Sequence, residues 1–469
     1  MRSLPPITGQ QSELSGVHLV DDGLEAFALR LRLLQQAEHG IDAQYYMWHA
    51  DLTGQLLLAE MLAAADRGVQ VHLLLDDVST AGLDDLLHLA NAHQNLEVRL
   101  FNPFMMRKPR WPNYLFNFRR LNRRMHNKSL TIDGVATVVG GRNIGDEYFN
   151  AHAGFQFADM DVLVVGAVVS DVAAAFEDYW NCASAFPLNR IVAAPPQDLM
   201  EQCRTRLTAN CASTDAETYL QKLEHFPLLK DGHTPAFEWT DVKLVVDNPA
   251  KGQGDIPRRN LLVTGLRKAL GAAEHSILVA TAYFVPGRLG QRYLIDAARA
   301  GKQVRVLTNS LASNDVLPVH AGYARYRKRM LRGGVKLLEL MASRDTAVPG
   351  RRRKKRLPHY GASSSSLHAK VFVMDEARVF VGSFNFDPRS VYLNCEMGLL
   401  IESHTLGLRL TEQFNALAQH RCYRPFIESG NRLAWRDSAN TIHHMEPESK
   451  PSQRVLVWLI SWLPVEWLL

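Results

Sequence analysis

Apolar and polar positions change their period along the chain in an order that occurs twice. From Ala37 to Asp77 the pattern predicts a strand, an amphipathic helix over Gln55–Arg67, a terminator at Gly68, and a buried strand running into Asp76 and Asp77. From Ala273 to Ser310 the same order returns. Both stretches begin Ala-Glu-His, both close a helix at a glycine (Gly68, Gly301), and both continue with Gln-Val and an apolar strand. Two such β-α-β units predict an α/β fold of two lobes related by internal duplication. The boundaries read from the pattern are a first lobe over 1–194, a connector with local helix over 195–238, a second lobe over 239–425, and a C-terminal tail over 426–469.

Length supports this division, since 469 residues with 46% hydrophobic and 22% charged composition suit two or three domains better than one. The formal net charge of +5 favours an anionic partner only mildly, so the partner must be read from where charge clusters. Five cysteines, Cys182, Cys203, Cys211, Cys395 and Cys422, have no paired spacing of the zinc or disulfide kind. The first twenty residues lack a secretory pattern, and no run of about eighteen apolar residues predicts a spanning helix.

Two segments depart from a uniformly soluble pattern. Val455–Leu469 is almost wholly apolar and carries Trp458, Trp462 and Trp467; at fifteen residues it is too short to span, and it reads either as a membrane-interface segment or as a piece docked on the protein's own core. Arg351–Arg356 is an unbroken run of six cations in a loop. Alone, such a run is a solvated or nucleic-acid-binding patch; beside the tryptophans it reads as a contact for an anionic membrane surface.

Each half carries the same short constellation. In the first it is His126-x-Lys128, then Asp133, then Gly140-Gly141-x-Asn143; in the second, His368-x-Lys370, Asp375, then Gly382-Ser383-x-Asn385. One such His-x-Lys-x4-Asp match arises by chance in roughly a few chains in a hundred of this length. Two, with identical internal spacing and each behind a β-α-β unit, do not. Residues two apart on a strand share a face, so each His and Lys project together, while each Asp falls at opposite parity beside an expected turn.

These residue types suit attack on a phosphodiester, whose negative charge must be held by cations and donors while a neutral group approaches phosphorus. Lys128, Lys370, Asn143 and Asn385 form the expected cradle. A neutral imidazole attacks to give a phospho-histidine, and a second, protonated imidazole hands its proton to the leaving alkoxide. The scheme calls for no metal and no cofactor. Each imidazole needs an orienting acceptor, and overlaying the strands that follow the motifs nominates Asp159 and Glu396.

The doubled motif resembles the phospholipase D superfamily. The likeness extends through Tyr45-Tyr46-x-Trp48, Ala64–Val69, Tyr283–Pro286, Leu307–Ala312 and Val319–Tyr323, segments similar to bacterial cardiolipin synthases, particularly the C type, and it covers almost the whole chain. The resemblance implies one active site at the interface of two pseudo-symmetric lobes, with His126, Lys128, Asp133, His368, Lys370 and Asp375 as catalytic residues. It implies transfer of a phosphatidyl group, from phosphatidylethanolamine in the C type, through His126 as nucleophile to phosphatidylglycerol, with His368 as acid and base. It further implies a peripheral protein of the bacterial inner membrane, on its cytoplasmic face. A hydrolase of the same superfamily, a phospholipase or a nuclease, is the alternative, with nucleic acid the less favoured substrate. Gly141 departs from the common Gly-Ser, so Ser383 is the one expected hydroxyl donor to phosphate at this place in the two motifs.

Overall fold

The strand–helix–strand order of the first repeat is realised as a strand over Gly40–Tyr45, a helix over Leu52–Asp66 and a strand over Gln70–Asp76 that runs parallel to the first. Asp51 caps the helix by accepting the Gly54 amide. Gly68 turns the chain out of it at φ 94°, a conformation that glycine adopts without steric cost. The second repeat gives a strand at Ser276–Thr281, a helix at Gly287–Arg299 and a parallel strand at Gln303–Asn309, with Gly301 at φ 93°. A computed structural model of the chain describes residues 9–151, 156–229, 233–254, 261–342, 365–463 and 466–468. The basic run Arg351–Arg356 lies outside the described residues.

Each repeat nucleates a mixed sheet, one of nine strands and one of ten, and the two share a strand order. In the first lobe it runs Ser15–Val20, Asp161–Gly166, Ala136–Gly140, Ser129–Ile132, Gly40–Tyr45, Gln70–Asp76, Leu96–Phe101, Ala185–Pro187. In the second it runs Val242–Val246, Met397–Glu402, Arg378–Gly382, Lys370–Met374, Ser276–Thr281, Gln303–Asn309, Lys336–Leu340, Cys422–Ile427. A shared apolar core joins the lobes, in which Val17, Val139, Val162 and Val164 of one sheet cluster with Val371, Val381, Leu399 and Ile401 of the other. Burial of two apolar sheet faces on one another fixes the relation between the lobes, and hence the geometry of anything built across them.

The expected boundaries shift once packing is seen. The presumed connector forms helices Gln197–Cys211 and Thr214–Leu223, whose Cys203, Leu207, Ala216, Tyr219 and Leu223 belong to the first lobe's core. Strand Glu238–Thr240 straddles the expected start of the second lobe yet pairs with Ser15–Val17 of the first. The second sheet runs on through Leu433–Arg436 to Ile442–His443, inside the expected tail. Periodicity reveals which face of a helix or strand is buried, not which neighbour it packs on.

Asp161 ties the first lobe together. Fully buried, it takes Arg30 at 2.8 Å and Arg142 at 3.2 Å, both also buried. The second lobe has Gly398 in the corresponding place, and no ion pair is needed there. Asp161→Ala is expected to leave the buried Arg30 guanidinium without its carboxylate and cost about 3–5 kcal/mol of stability, measurable by urea unfolding.

Candidate active site

Two histidines meet across the lobe interface, each delivered by the same device. Arg124 and Met125 are held by the buried carboxylate of Asp76 at the end of its strand: Arg124 Nη1 donates at 2.9 Å and the Met125 amide at 2.8 Å. In the second lobe Asn309, at the end of the corresponding strand, bonds both backbone groups of Leu367 at 2.9 Å. Each motif then crosses to the opposite lobe. The His126 amide donates to the Cys395 carbonyl at 2.8 Å, and the Cys395 amide to the Arg124 carbonyl at 2.8 Å. The His368 amide donates to the Ala158 carbonyl at 2.8 Å, where Ser365–Leu367 and Gln156–Ala158 form a two-stranded parallel sheet.

This crossing sets the carboxylate pairing. Glu396 follows Cys395, and its Oε2 lies 2.8 Å from His126 Nδ1. Asp159 follows Ala158, and its Oδ2 lies 2.5 Å from His368 Nδ1. Both residues nominated as orienting groups therefore stand against imidazoles, each serving the histidine of the other lobe. Both lysines are buried beside the histidines: Lys128 Nζ donates to the His126 carbonyl at 2.6 Å, and Lys370 Nζ lies 3.2 Å from His368 Nε2.

Asp133, Asp375 and Ser383 do different work. Asp133 and Asp375 sit just past their strands at φ 52° and 54°. Their carboxylates accept the amides of Glu38, His39 and Gly40, and of Glu274, His275 and Ser276. They fasten the start of the neighbouring strand, the repeated Ala-Glu-His, instead of joining the histidines. The Ser383 hydroxyl, expected to reach phosphate, donates to Glu396 Oε2 at 2.5 Å and accepts the Met397 amide at 3.0 Å. Asn143 accepts the Met47 amide at 3.2 Å and donates to the Tyr148 hydroxyl at 2.9 Å, while Asn385 accepts the Thr281 hydroxyl at 3.3 Å.

Motif spacing does not point to Tyr46 or Tyr148, although Tyr46 lies within Tyr45-Tyr46-x-Trp48. Their rings stand edge-on to His126 and His368 at centroid distances of 4.8 and 5.2 Å. Beside the site, His49, Asp51 and Glu147 bring ligand atoms within 4.8 Å of one another, a group capable of holding a cation. Asp51 is also engaged by the Gly54 and Asp146 amides.

Gly141 is explained by Asp159. A Cβ at 141 would lie 2.1 Å from Asp159 Oδ1, so the hydroxymethyl group carried by Ser383 has no room here. Gly141→Ser is expected to displace Asp159 and lower turnover by about 10²-fold while the thermal melt stays close to that of the parent, since a misplacement of about 1 Å near reacting groups has that weight.

Burial dominates the electrostatics. It lowers the His126 pKa well below the usual histidine value, with Lys128, Lys370 and His368 acting the same way. His368 is also lowered by burial and by Lys370, but Asp159 opposes the shift. Burial pushes the Asp159 carboxyl up, yet His368, Lys370 and Arg142 outweigh it and hold the group well below the ordinary range. Glu396 is raised by burial, against the pull of Lys128 and Ser383. Burial and Lys370 bring Lys128 down to about 7. The two imidazoles are thus unequal: His126 is the more firmly neutral, and His368 faces the more firmly ionised partner.

Two histidine–lysine pairs joined across duplicated α/β lobes, each histidine beside the other lobe's carboxylate, fit the phospholipase D superfamily, and the match to cardiolipin synthases places the chain among its phosphatidyltransferases. The family model described as "Cardiolipin synthase, PLD-like domain" matches residues 31–180 and 266–418, and the chain belongs to this family. It is 45% identical to Cardiolipin synthase C of Escherichia coli (strain K12) over 472 residues, covering 99% of this chain and 98% of that relative. Cardiolipin synthase B of the same strain is 26% identical, over 87% of this chain and 81% of the relative. Among solved structures, phosphatidylserine synthase of Haemophilus influenzae Rd KW20 superposes with a TM-score of 0.63 over 100% of this chain and 98% of that one; at 15% identity this likeness concerns the fold.

Proposed function

We propose that this chain is a cardiolipin synthase that carries a phosphatidyl group from phosphatidylethanolamine, through a covalent bond to His126, to phosphatidylglycerol. The observation that carries the chemistry is the crossed, unequal pairing of the two histidines. His126 Nδ1 faces the Ser383 carbonyl at 3.1 Å as well as Glu396; a carbonyl only accepts, so Nδ1 bears the proton and Nε2 keeps its lone pair. Nε2 attacks phosphorus, the bond from phosphorus to the ethanolamine oxygen breaks, and His368 gives that oxygen its proton. Phosphatidylglycerol then brings a glycerol hydroxyl, His368 takes its proton, the new P–O bond forms and the P–N bond breaks. Lys128 and Lys370, with Asn143 and Asn385, hold the non-bridging oxygens throughout.

The substrates rest on the near full-length match to a relative named Cardiolipin synthase C; phosphatidylethanolamine as donor rests on the resemblance to that type. The same reading has the protein acting peripherally, on the cytoplasmic face of a bacterial inner membrane. No described helix is long and apolar enough to cross a membrane.

Incubation of the purified protein with phosphatidylglycerol in mixed micelles, with and without phosphatidylethanolamine, tests the proposal by mass spectrometry of the products. Cardiolipin that rises with phosphatidylethanolamine is expected. Phosphatidic acid alone identifies a hydrolase, and cleavage of DNA without lipid product a nuclease.

The site also predicts a pH profile. Lys128 binds the anionic phosphodiester only as a cation, and in the free enzyme it loses its proton near pH 7. Because kcat/KM reports the free enzyme, it is expected to fall above about pH 7. The bound anion favours the charged lysine, so kcat is expected to hold to higher pH. A rate series across that range measures both limbs.

A further inference from the structure

The chain leading to His126 carries an apolar surface that the pattern did not predict. Helix Pro112–Leu121, kinked at Asn117, turns only Asn113 and Leu121 inward. Trp111, Leu115 and Phe116 stand 65%, 69% and 81% exposed. Single exposed apolar residues are ordinary, but three large ones within six positions of one short segment are not.

A second apolar patch lies on the C-terminal helix, and Trp467 beyond that helix reaches the first patch. The C-terminal helix Pro451–Ser461 docks through Val457 and Ile460 on Leu317 and Ala321 of the second lobe. Its other face stays out, with Trp458 and Trp462 at 59% and 74% exposure and their rings 6.0 Å apart. Beyond it, the Trp467 ring packs edge-on to Phe118 at 6.4 Å. Arg389 pins the junction, donating to the Asn122 side chain at 2.9 Å and the Leu468 carbonyl at 3.3 Å, four residues before His126 in the chain.

Lys108 and Arg119 lie in the same first-lobe segment, exposed and without an ion pair among the described residues. Tryptophan favours the boundary between headgroups and acyl chains, and unpaired cations beside it complement anionic headgroups. Resting on the proposed lipid chemistry, we propose that helix Pro112–Leu121 and the C-terminal helix form one platform that seats the enzyme on an anionic bilayer. Trp111, Phe116, Trp458 and Trp462 enter the interface, and Lys108 and Arg119 meet lipid phosphates. The approach to His126 is thereby held against the membrane.

The test is co-sedimentation with vesicles of phosphatidylcholine alone or mixed with phosphatidylglycerol, at low and high salt, for the full chain, a Trp111→Ala/Phe116→Ala variant and a Lys108→Glu/Arg119→Glu variant. Thermal melts beside them establish that each variant is folded. The parent is expected to prefer the anionic vesicles. The aromatic pair is expected to cost about tenfold or more in partitioning, from the apolar area it no longer buries, and the charge pair to remove most of the salt dependence. Folded variants that partition like the parent would overturn the platform. So would a parent that ignores vesicles but forms dimers dissolved by the aromatic substitutions. Binding is read without turnover, so a chain that seats on vesicles yet makes no cardiolipin contradicts the proposed reaction and leaves the platform standing.

Discussion

Replacing His126 by alanine is expected to abolish cardiolipin formation, a loss of about 10⁶-fold in kcat, as for nucleophile deletions in other covalent enzymes. No neighbouring group replaces it. The bound phosphate favours the charged forms of Lys128 and Lys370, and His368 is held by Asp159 on Nδ1. His368→Ala is expected to separate the roles. A diester with an aryl leaving group needs no proton from His368, so this variant should still release the aryl alcohol in a first turnover, whereas His126→Ala should release none. A stopped-flow burst measurement distinguishes them.

Asp159→Asn is expected to be nearly as damaging, about 10⁴-fold in kcat, the weight of the corresponding change in a serine-protease triad. Both Asp159 oxygens already accept: Oδ1 takes the Met160 amide at 2.8 Å, and Oδ2 faces His368. An asparagine must therefore turn its NH2 toward one of these donors, which either dislodges the strand or forces His368 into the wrong tautomer. Glu396→Gln offers the contrast. Oε2 receives both His126 and Ser383, whereas Oε1 has no hydrogen-bond partner among the described residues. A glutamine can seat its carbonyl at the first place and its NH2 at the second, so the loss is expected to stay within about 10²-fold, the weight of one hydrogen bond to a charged group. Steady-state rates of the two variants test the asymmetry.

The duplicated lobes were legible because β-α-β periodicity is strong and came twice, down to the glycines at 68 and 301. The histidine–lysine pairs were legible for the same reason. Strand parity placed Asp133 and Asp375 beside a turn but did not reveal that their carboxylates face the backbone of 38–40 and 274–276, because parity carries no information about neighbouring strands. The overlay found Asp159 and Glu396, but their exchange between lobes depends on the pairing of Met125 with Cys395 and of Leu367 with Ala158, contacts between residues more than two hundred positions apart. Ser383 followed motif analogy, which did not register that Glu396 stands within reach of its hydroxyl. Helix Pro112–Leu121 is not legible in the sequence, because ten residues with a kink carry little periodicity. Its exposure is a property of packing.

Carriage of the phosphatidyl group by one histidine of the pair is tested by rapid alkaline quenching of the enzyme during turnover with phosphatidylethanolamine, followed by peptide mapping at a pH where phospho-histidine survives. A phosphatidyl adduct is expected on the peptide bearing His126, formed at least as fast as cardiolipin and discharged on addition of phosphatidylglycerol. An adduct on His368, or steady cardiolipin formation with no adduct on either histidine, would contradict it.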